Sequence, residues 1–135
     1  MNGKGQNGLI VKYLVDSNIL IYAGASGYEY AADFIAENLP SISIISKIEV
    51  FGYHKLKLDD TKNFEKIFQS VKIIPLTDSI VEKSIELTRL QKIKLADAII
   101  AATALTENLI LATRNIDDFK NIPGLTTINI VDKND

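Results

Sequence analysis

KLADAIIAATAL, residues 94–105, is the stretch whose reading decides the fold. After Lys94 it carries one charge, Asp97, in a run of Leu, Ala and Ile. On a helix, the positions three and four beyond Asp97 are Ile100 and Ala101, with Ala104 a turn further on. A helix that is apolar nearly all round is a core helix, so the pattern predicts a carboxylate set among apolar neighbours. Such a group is costly unless it meets a cation, a metal or good donors, or takes up a proton. The plainer alternative is a first-turn acid that complements the helix dipole. The neighbouring segments have to decide between the two.

Working outward, NLILAT (108–113) reads as a buried strand after this helix, and KIK links it to a preceding helix. That helix is expected to be capped by Asp78 or Ser79 and to run to about Leu90, with Ile80, Val81, Ile85 and Leu90 inward. Before it come a strand, VKIIPL (71–76), ending at Pro75, and an amphipathic helix over 59–69 with Phe64, Ile67 and Phe68 inward. Towards the C-terminus, NIDDF begins a loop or short helix, Pro123-Gly124 turns the chain, and TTINIV (126–131) is a last strand.

At the front, LIVKYLV (9–15) reads as a buried strand running into Asp16-Ser17-Asn18 and then ILIYA. After a loop at Gly24, Ser26 and Gly27, residues 28–39 have helical spacing through Tyr30, Phe34, Ile35 and Leu39 and stop before Pro40. SISII (41–45) is a short strand, and Ser46 is expected to cap a helix to about Leu56, with Glu49 at capping-box spacing.

Strands alternating with helices imply an α/β fold, a mostly parallel sheet with helices on both faces. The 135 residues fit one domain over 9–131, between a Gly/Asn-rich leader (1–8) expected to be flexible and a polar tail (132–135). The leader lacks the apolar region of a signal peptide, and no apolar run reaches the ~18 residues of a membrane span. The absence of Cys excludes disulfides and thiolate sites, and His54, the single His, leaves little material for Ser-His-Asp catalysis. A net charge of -2 gives no general attraction to nucleic acid, so a polyanion would need a local basic patch or a metal. Lack of Cys fits a reducing cytoplasm.

In sheets of this kind ligands sit at the carboxyl ends of the strands. Asp16 ends the first strand, Glu49 lies in the helix after the second, Asp97 opens a helix near the same rim, and Asp117 and Asp118 follow the strand ending at Thr113. Clustered carboxylates repel unless a cation neutralises them. An oxygen-only set selects a hard cation, Mg²⁺ or Mn²⁺ with Ca²⁺ as a further candidate, which fits phosphodiester hydrolysis by activated water. Each acid also has an ordinary reading. Asp16 could cap a turn with Ser17 and Asn18, Glu49 could complete the capping box, and Asp117 and Asp118 could be loop acids. Lys92 and Lys94 could be solvated. Arg114, beside the acids, could meet a phosphate.

Together, YLVDSNILIYA, SIISKIEVFGY, the run from Ile74 to Leu105 and LILATRNIDDFKNIPGL resemble the PIN-domain nucleases, most of all the VapC-type toxins of toxin–antitoxin pairs. The resemblance covers about residues 12–125. It implies a three-layer PIN fold with a central parallel sheet of four to five strands, and a Mg²⁺- or Mn²⁺-dependent ribonuclease. By it, Asp16, Glu49 and Asp97 match the family's first three acids. Asp118, in preference to Asp117, is the choice for the variable fourth. Ser17, Asn18, Thr113 and Asn115 are the supporting polar residues, with Arg114, Lys94 and Lys55 as candidate RNA contacts. An RNA substrate, a cognate antitoxin and a homodimer are the implied partners. The alternative is a catalytically silent PIN domain that binds RNA or protein. A receiver domain is disfavoured because it needs an acid pair before its phosphorylated Asp, and an Asp-nucleophile phosphatase because Asn18 stands where it needs its second Asp.

Overall fold

The structure is a computed structural model that describes residues 11–24 and 29–130. In chain order it contains β1 (Tyr13–Val15), α1 (Ser17–Ala23), α2 (Glu29–Asn38), β2 (Ser41–Ser43), α3 (Ile44–Phe51) and α4 (Leu58–Ser70). There follow β3 (Lys72–Ile74), α5 (Asp78–Leu90), α6 (Leu95–Glu107), β4 (Ile110–Ala112), a 3-10 turn (Ile116–Phe119) and β5 (Thr127–Ile128). All the pairings are parallel, in the order β3-β2-β1-β4-β5. The α/β architecture expected from the alternating pattern is therefore the one observed. Among the described residues no helix is long and apolar enough to cross a membrane.

Alternation along each strand divides the core into two. Leu14, Ile74 and Leu111 pack with α5 and α6 on one face; Val15, Ile42 and Ala112 pack with α1, α2 and α4 on the other. Every residue of α6 from Ala98 to Ala104 is buried, including Thr103, whose hydroxyl donates to the Ile99 carbonyl at 2.7 Å. That all-round burial explains why the helix has no polar face beyond its ends. On the opposite face, Gly24 is required by close approach: a Cβ there would stand 2.5 Å from the Phe64 ring.

Several element ends differ from the sequence reading. The strands are three residues or fewer, because a buried apolar run does not mark where pairing stops. The strand expected over 9–15 is seen as Tyr13–Val15, and residues 9, 10, 28 and 131, included in expected elements, lie outside the described residues. The cap of α3 is Ser43, whose hydroxyl accepts from Ile45 N at 3.2 Å, so Ser46 lies inside the helix and Glu49 is not a capping-box partner. The helix ends at Phe51 rather than near Leu56. Thr77, and neither Asp78 nor Ser79, caps α5 through Ile80 N. The buried face of α5 is Ile80, Ser84 and Leu87, while Ile85 and Leu90 are 40% and 59% exposed. Leu39 falls beyond α2 at φ 43 and is 65% exposed, so it does not extend the apolar stripe.

The strand order fixes where a site can form. From β1 the chain builds outward through β2 to β3, then crosses back to place β4 on the other side of β1. The crevice at such a reversal, at the carboxyl ends of β1 and β4, is where open α/β sheets bind ligands. Asp16 follows β1 there, and Thr113 follows β4.

Candidate active site

Asp16 lies at this crevice. Its backbone N–H donates to Ala112 O at 2.9 Å, continuing the β1–β4 ladder by one bond. Its side chain is 6% exposed and caps α1, accepting from Ser17 N at 2.7 Å through Oδ1. Oδ2 accepts from the fully buried Thr113 hydroxyl at 2.8 Å. Thr113 Oγ1 in turn accepts from Asn115 N at 3.0 Å. Burial raises the Asp16 carboxyl from 3.8 to about 6, against the pull of the Thr113 and Ser17 bonds, and the charges of Asp97 and Glu49 add to the rise.

Glu49 projects from α3, where its residue is exposed, and is held by Ser17 Oγ at 2.6 Å. Ser17 Oγ also stands 2.9 Å from the hydroxyl of Ser46, which is completely buried. A hydroxyl has one proton to give, so the consistent arrangement has Ser46 donating to Ser17 and Ser17 donating to the carboxylate, the stronger acceptor. Ser46 is a residue the sequence reading placed only as a cap. Its helical signal was available: it lies one turn before Glu49, on the side of α3 that faces Ser17.

Asp97 is half-buried in the first turn of α6. Desolvation raises its carboxyl; Asp118 and Glu49 raise it further, and Lys94 opposes them. Asp118 thus acts on Asp97, whereas Asp117 is absent among those influences. Both sit exposed on the 3-10 turn, along a cavity of about 760 Å³ that Asp97 also lines. Asn18 Oδ1 accepts from Arg114 N at 3.4 Å, tying α1 to the segment after β4.

The candidate RNA contacts divide. Lys94 lines the cavity with the acids. Arg114 donates to the Tyr30 hydroxyl and lies over the Tyr22 ring at 4.6 Å, so part of its guanidinium is engaged against α1 and α2. Lys55 is exposed in the turn after α3 and is not among the residues lining that cavity. His54 is also exposed there, beside the Tyr53 ring.

Among the described residues, no three acidic or histidine side chains stand close enough together to share one metal ion. The donors nevertheless fit a hard cation. They are all oxygen, they raise one another's affinity for a positive charge, and Mg²⁺ takes only one or two carboxylates directly while keeping several waters.

A family model described as the PIN domain matches residues 13–125. The chain belongs to the PIN-domain family. Among solved structures, this PIN domain is similar to a chain of a toxin–antitoxin complex from Klebsiella pneumoniae, at 33% identity over 90% of this chain and 99% of that one, with a TM-score of 0.75. It is also similar to a chain of VapBC2 from Rickettsia felis bound to a DNA fragment from their promoter, at 29% identity over 88% and 98% of the two chains and a TM-score of 0.70. A chain of DNA-bound VapBC from Salmonella typhimurium shares the fold at 22% identity, over 90% and 99% of the chains, with a TM-score of 0.75. No curated protein sequence matches the chain.

Proposed function

We propose that this PIN domain is a metal-dependent endoribonuclease, a VapC-type toxin acting in the cytoplasm. The observation that carries the reading is the shared electrostatic field of acids from four segments, in which Asp16 is raised by Asp97 and Glu49, and Asp97 by Asp118 and Glu49. A fold does not establish a chemistry by itself; these acids at the sheet's reversal point supply one. Asp16, Asp97 and Asp118 would hold Mg²⁺ or Mn²⁺, at most two of them directly and the rest through the ion's waters, and the ion would supply activation of water and stabilisation of charge on a phosphoryl group. Glu49, fixed by Ser17, orients the attacking water and accepts its proton. Thr113 keeps the Asp16 carboxylate aimed, and Asn115 steadies Thr113 through its backbone. The similarity to chains of toxin–antitoxin complexes supports a small antitoxin as the partner, and we propose a homodimer as the working unit.

The test is cleavage of single-stranded RNA with Mn²⁺ or Mg²⁺, comparing the native protein with Asp16→Asn and Asp97→Asn. The expected result is metal-dependent cleavage by the native chain and loss of about a hundredfold or more in both variants, in keeping with the several kcal/mol a catalytic ion supplies. Equal cleavage by all three would place the activity elsewhere.

The spacing of the acids favours one second reading, a silent PIN domain that binds RNA or protein. Titration with Mn²⁺ separates the two. A nuclease binds the ion and loses that binding on Asp97→Asn; a silent module shows no Asp97-dependent binding.

A further inference from the structure

The cavity beside the acids has a second wall that the proposed chemistry does not use. Lys92 and Lys94, on the linker between α5 and α6, and Lys120, just after the 3-10 turn, line it together with Asp97, Asp117 and Asp118. Two segments distant in sequence thus bring three cations to one recess, in a chain whose net charge is -2. Among the described residues the ion pair present is Lys83–Glu86, so none of the three lysines lies within ion-pair distance of a carboxylate, although acids line the same recess. None is tied up in an ion pair, although Asp97 feels the charge of Lys94. Lysine is a point-charge binder of phosphate.

The rest of the lining is Gln91, Ile93 and Asn121. No aromatic ring faces the recess among the described residues, so it lacks the stacking platform by which proteins hold bases. Its volume of about 760 Å³ is that of a small-molecule cleft, room for a few backbone groups of one strand.

We propose that this groove holds the sugar-phosphate backbone of a single-stranded RNA next to the bond to be cut, through Lys92, Lys94 and Lys120, and does so without reading bases. It rests on the nuclease reading for the identity of the strand. The lysines steer a polyanion towards a rim whose own charge is negative, and they leave sequence discrimination to other surfaces.

The experiment is fluorescence anisotropy of labelled single-stranded RNA 12-mers, U-rich and A-rich, in chelator over a range of salt, with Mn²⁺-dependent cleavage measured separately. The proteins are the native chain, the Lys92→Ala/Lys94→Ala/Lys120→Ala variant, and a Lys12→Ala/Lys72→Ala control at the opposite end of the sheet. Each phosphate contact to a single strand contributes about 0.7 to the slope of log affinity against log salt. The triple variant should therefore lose a slope of about 2 on both RNAs, with KM raised and kcat retained, while the control keeps the native slope. Circular dichroism confirms that the variant is folded.

A triple variant with the native slope overturns the proposal, as does a slope lost on one RNA and kept on the other. Equal competition by an acidic peptide of matched charge assigns the groove to a protein partner and also overturns it. Lysine-dependent RNA binding without any cleavage would sink the nuclease reading and leave the groove standing. A native chain that binds no RNA would remove both.

Discussion

The site has two walls built in opposite ways. On the closed wall, Asp16, Ser17, Ser46 and Thr113 are buried and joined by short hydrogen bonds, and Glu49 is tied to them through Ser17. On the open wall, Asp117, Asp118, Lys92, Lys94 and Lys120 are exposed on a linker and a 3-10 turn, and none of them makes a side-chain hydrogen bond or ion pair among the described residues. Asp97 stands between, half-buried at the head of a helix that is otherwise core. The difference teaches a division of labour. A group that must be aimed is fixed by donors whose own rotamers are locked by packing. The groups proposed to meet a long, variable polymer are left exposed and charged.

The largest expected effect tests whether the helix carrying Asp97 is as rigid as the closed wall. Ile100 is 1% exposed, and Ile100→Ala should cost about 2–5 kcal/mol by urea unfolding. A loss below about 1 kcal/mol would mean that α6 collapses around the void and is a soft support.

The next effect is pH-dependent. The Asp16 carboxyl is raised from 3.8 to about 6 in the folded chain. Between those values the folded state holds the proton that the unfolded state has released, so stability falls as pH rises. The contribution is fully present below about 3.8 and is lost as pH passes through about 6. In chelator, its size should be about 3 kcal/mol, because holding the proton across that interval is worth ~1.4 kcal/mol for every tenfold change in proton concentration. Asp16→Asn should flatten that part of the pH–stability curve; an unchanged curve would mean that other groups produce the slope.

Thr113→Val probes the closed wall directly. It removes a donor from a buried carboxylate and should cost about 1–3 kcal/mol, with cleavage down about ten- to a hundredfold as for other residues that orient a metal's ligands. Asp118→Asn, on the open wall, should reduce cleavage while leaving urea stability within about 0.5 kcal/mol, as for surface substitutions. If the two variants lose stability equally, the contrast between the walls is wrong. The smallest effect belongs to Asp97→Asn, which relieves the charge it shares with Asp118 and Glu49. Its melting temperature in chelator should rise by a few degrees at most, and a fall would show that Asp97 is satisfied structurally.

The architecture was legible because apolar runs and helical periods alternate so regularly, and because Asp16 and Asp97 are isolated charges in apolar surroundings. What escaped was set by atoms far apart in sequence. SISIIS offers a serine at 41, 43 and 46, and local pattern alone cannot say which caps the helix; the geometry selects Ser43. Once Ser43 takes that role, Ser46 is free to support Ser17, a bond between residues 29 apart that no window of sequence contains. Ile85 and Leu90 fit a helical stripe but face outward, since the angular position of α5 is fixed by its packing on α6. Lys120 gave no signal at all, because its meaning depends on a turn that folds back beside the α5–α6 linker.

The bond from Thr113 to Asp16 joins residues 97 apart, across two strands that become neighbours only when the chain crosses back over the sheet. Contacts of such long range close late, because the intervening loop must be ordered first. During synthesis β1 emerges early and stays without its β4 neighbour until most of the domain has left the ribosome. An unfinished chain therefore carries Asp16 without the donor that aims it. The candidate site is therefore complete only once β4 has joined the sheet, and a chain that ends before Thr113 lacks one of the donors that fix Asp16.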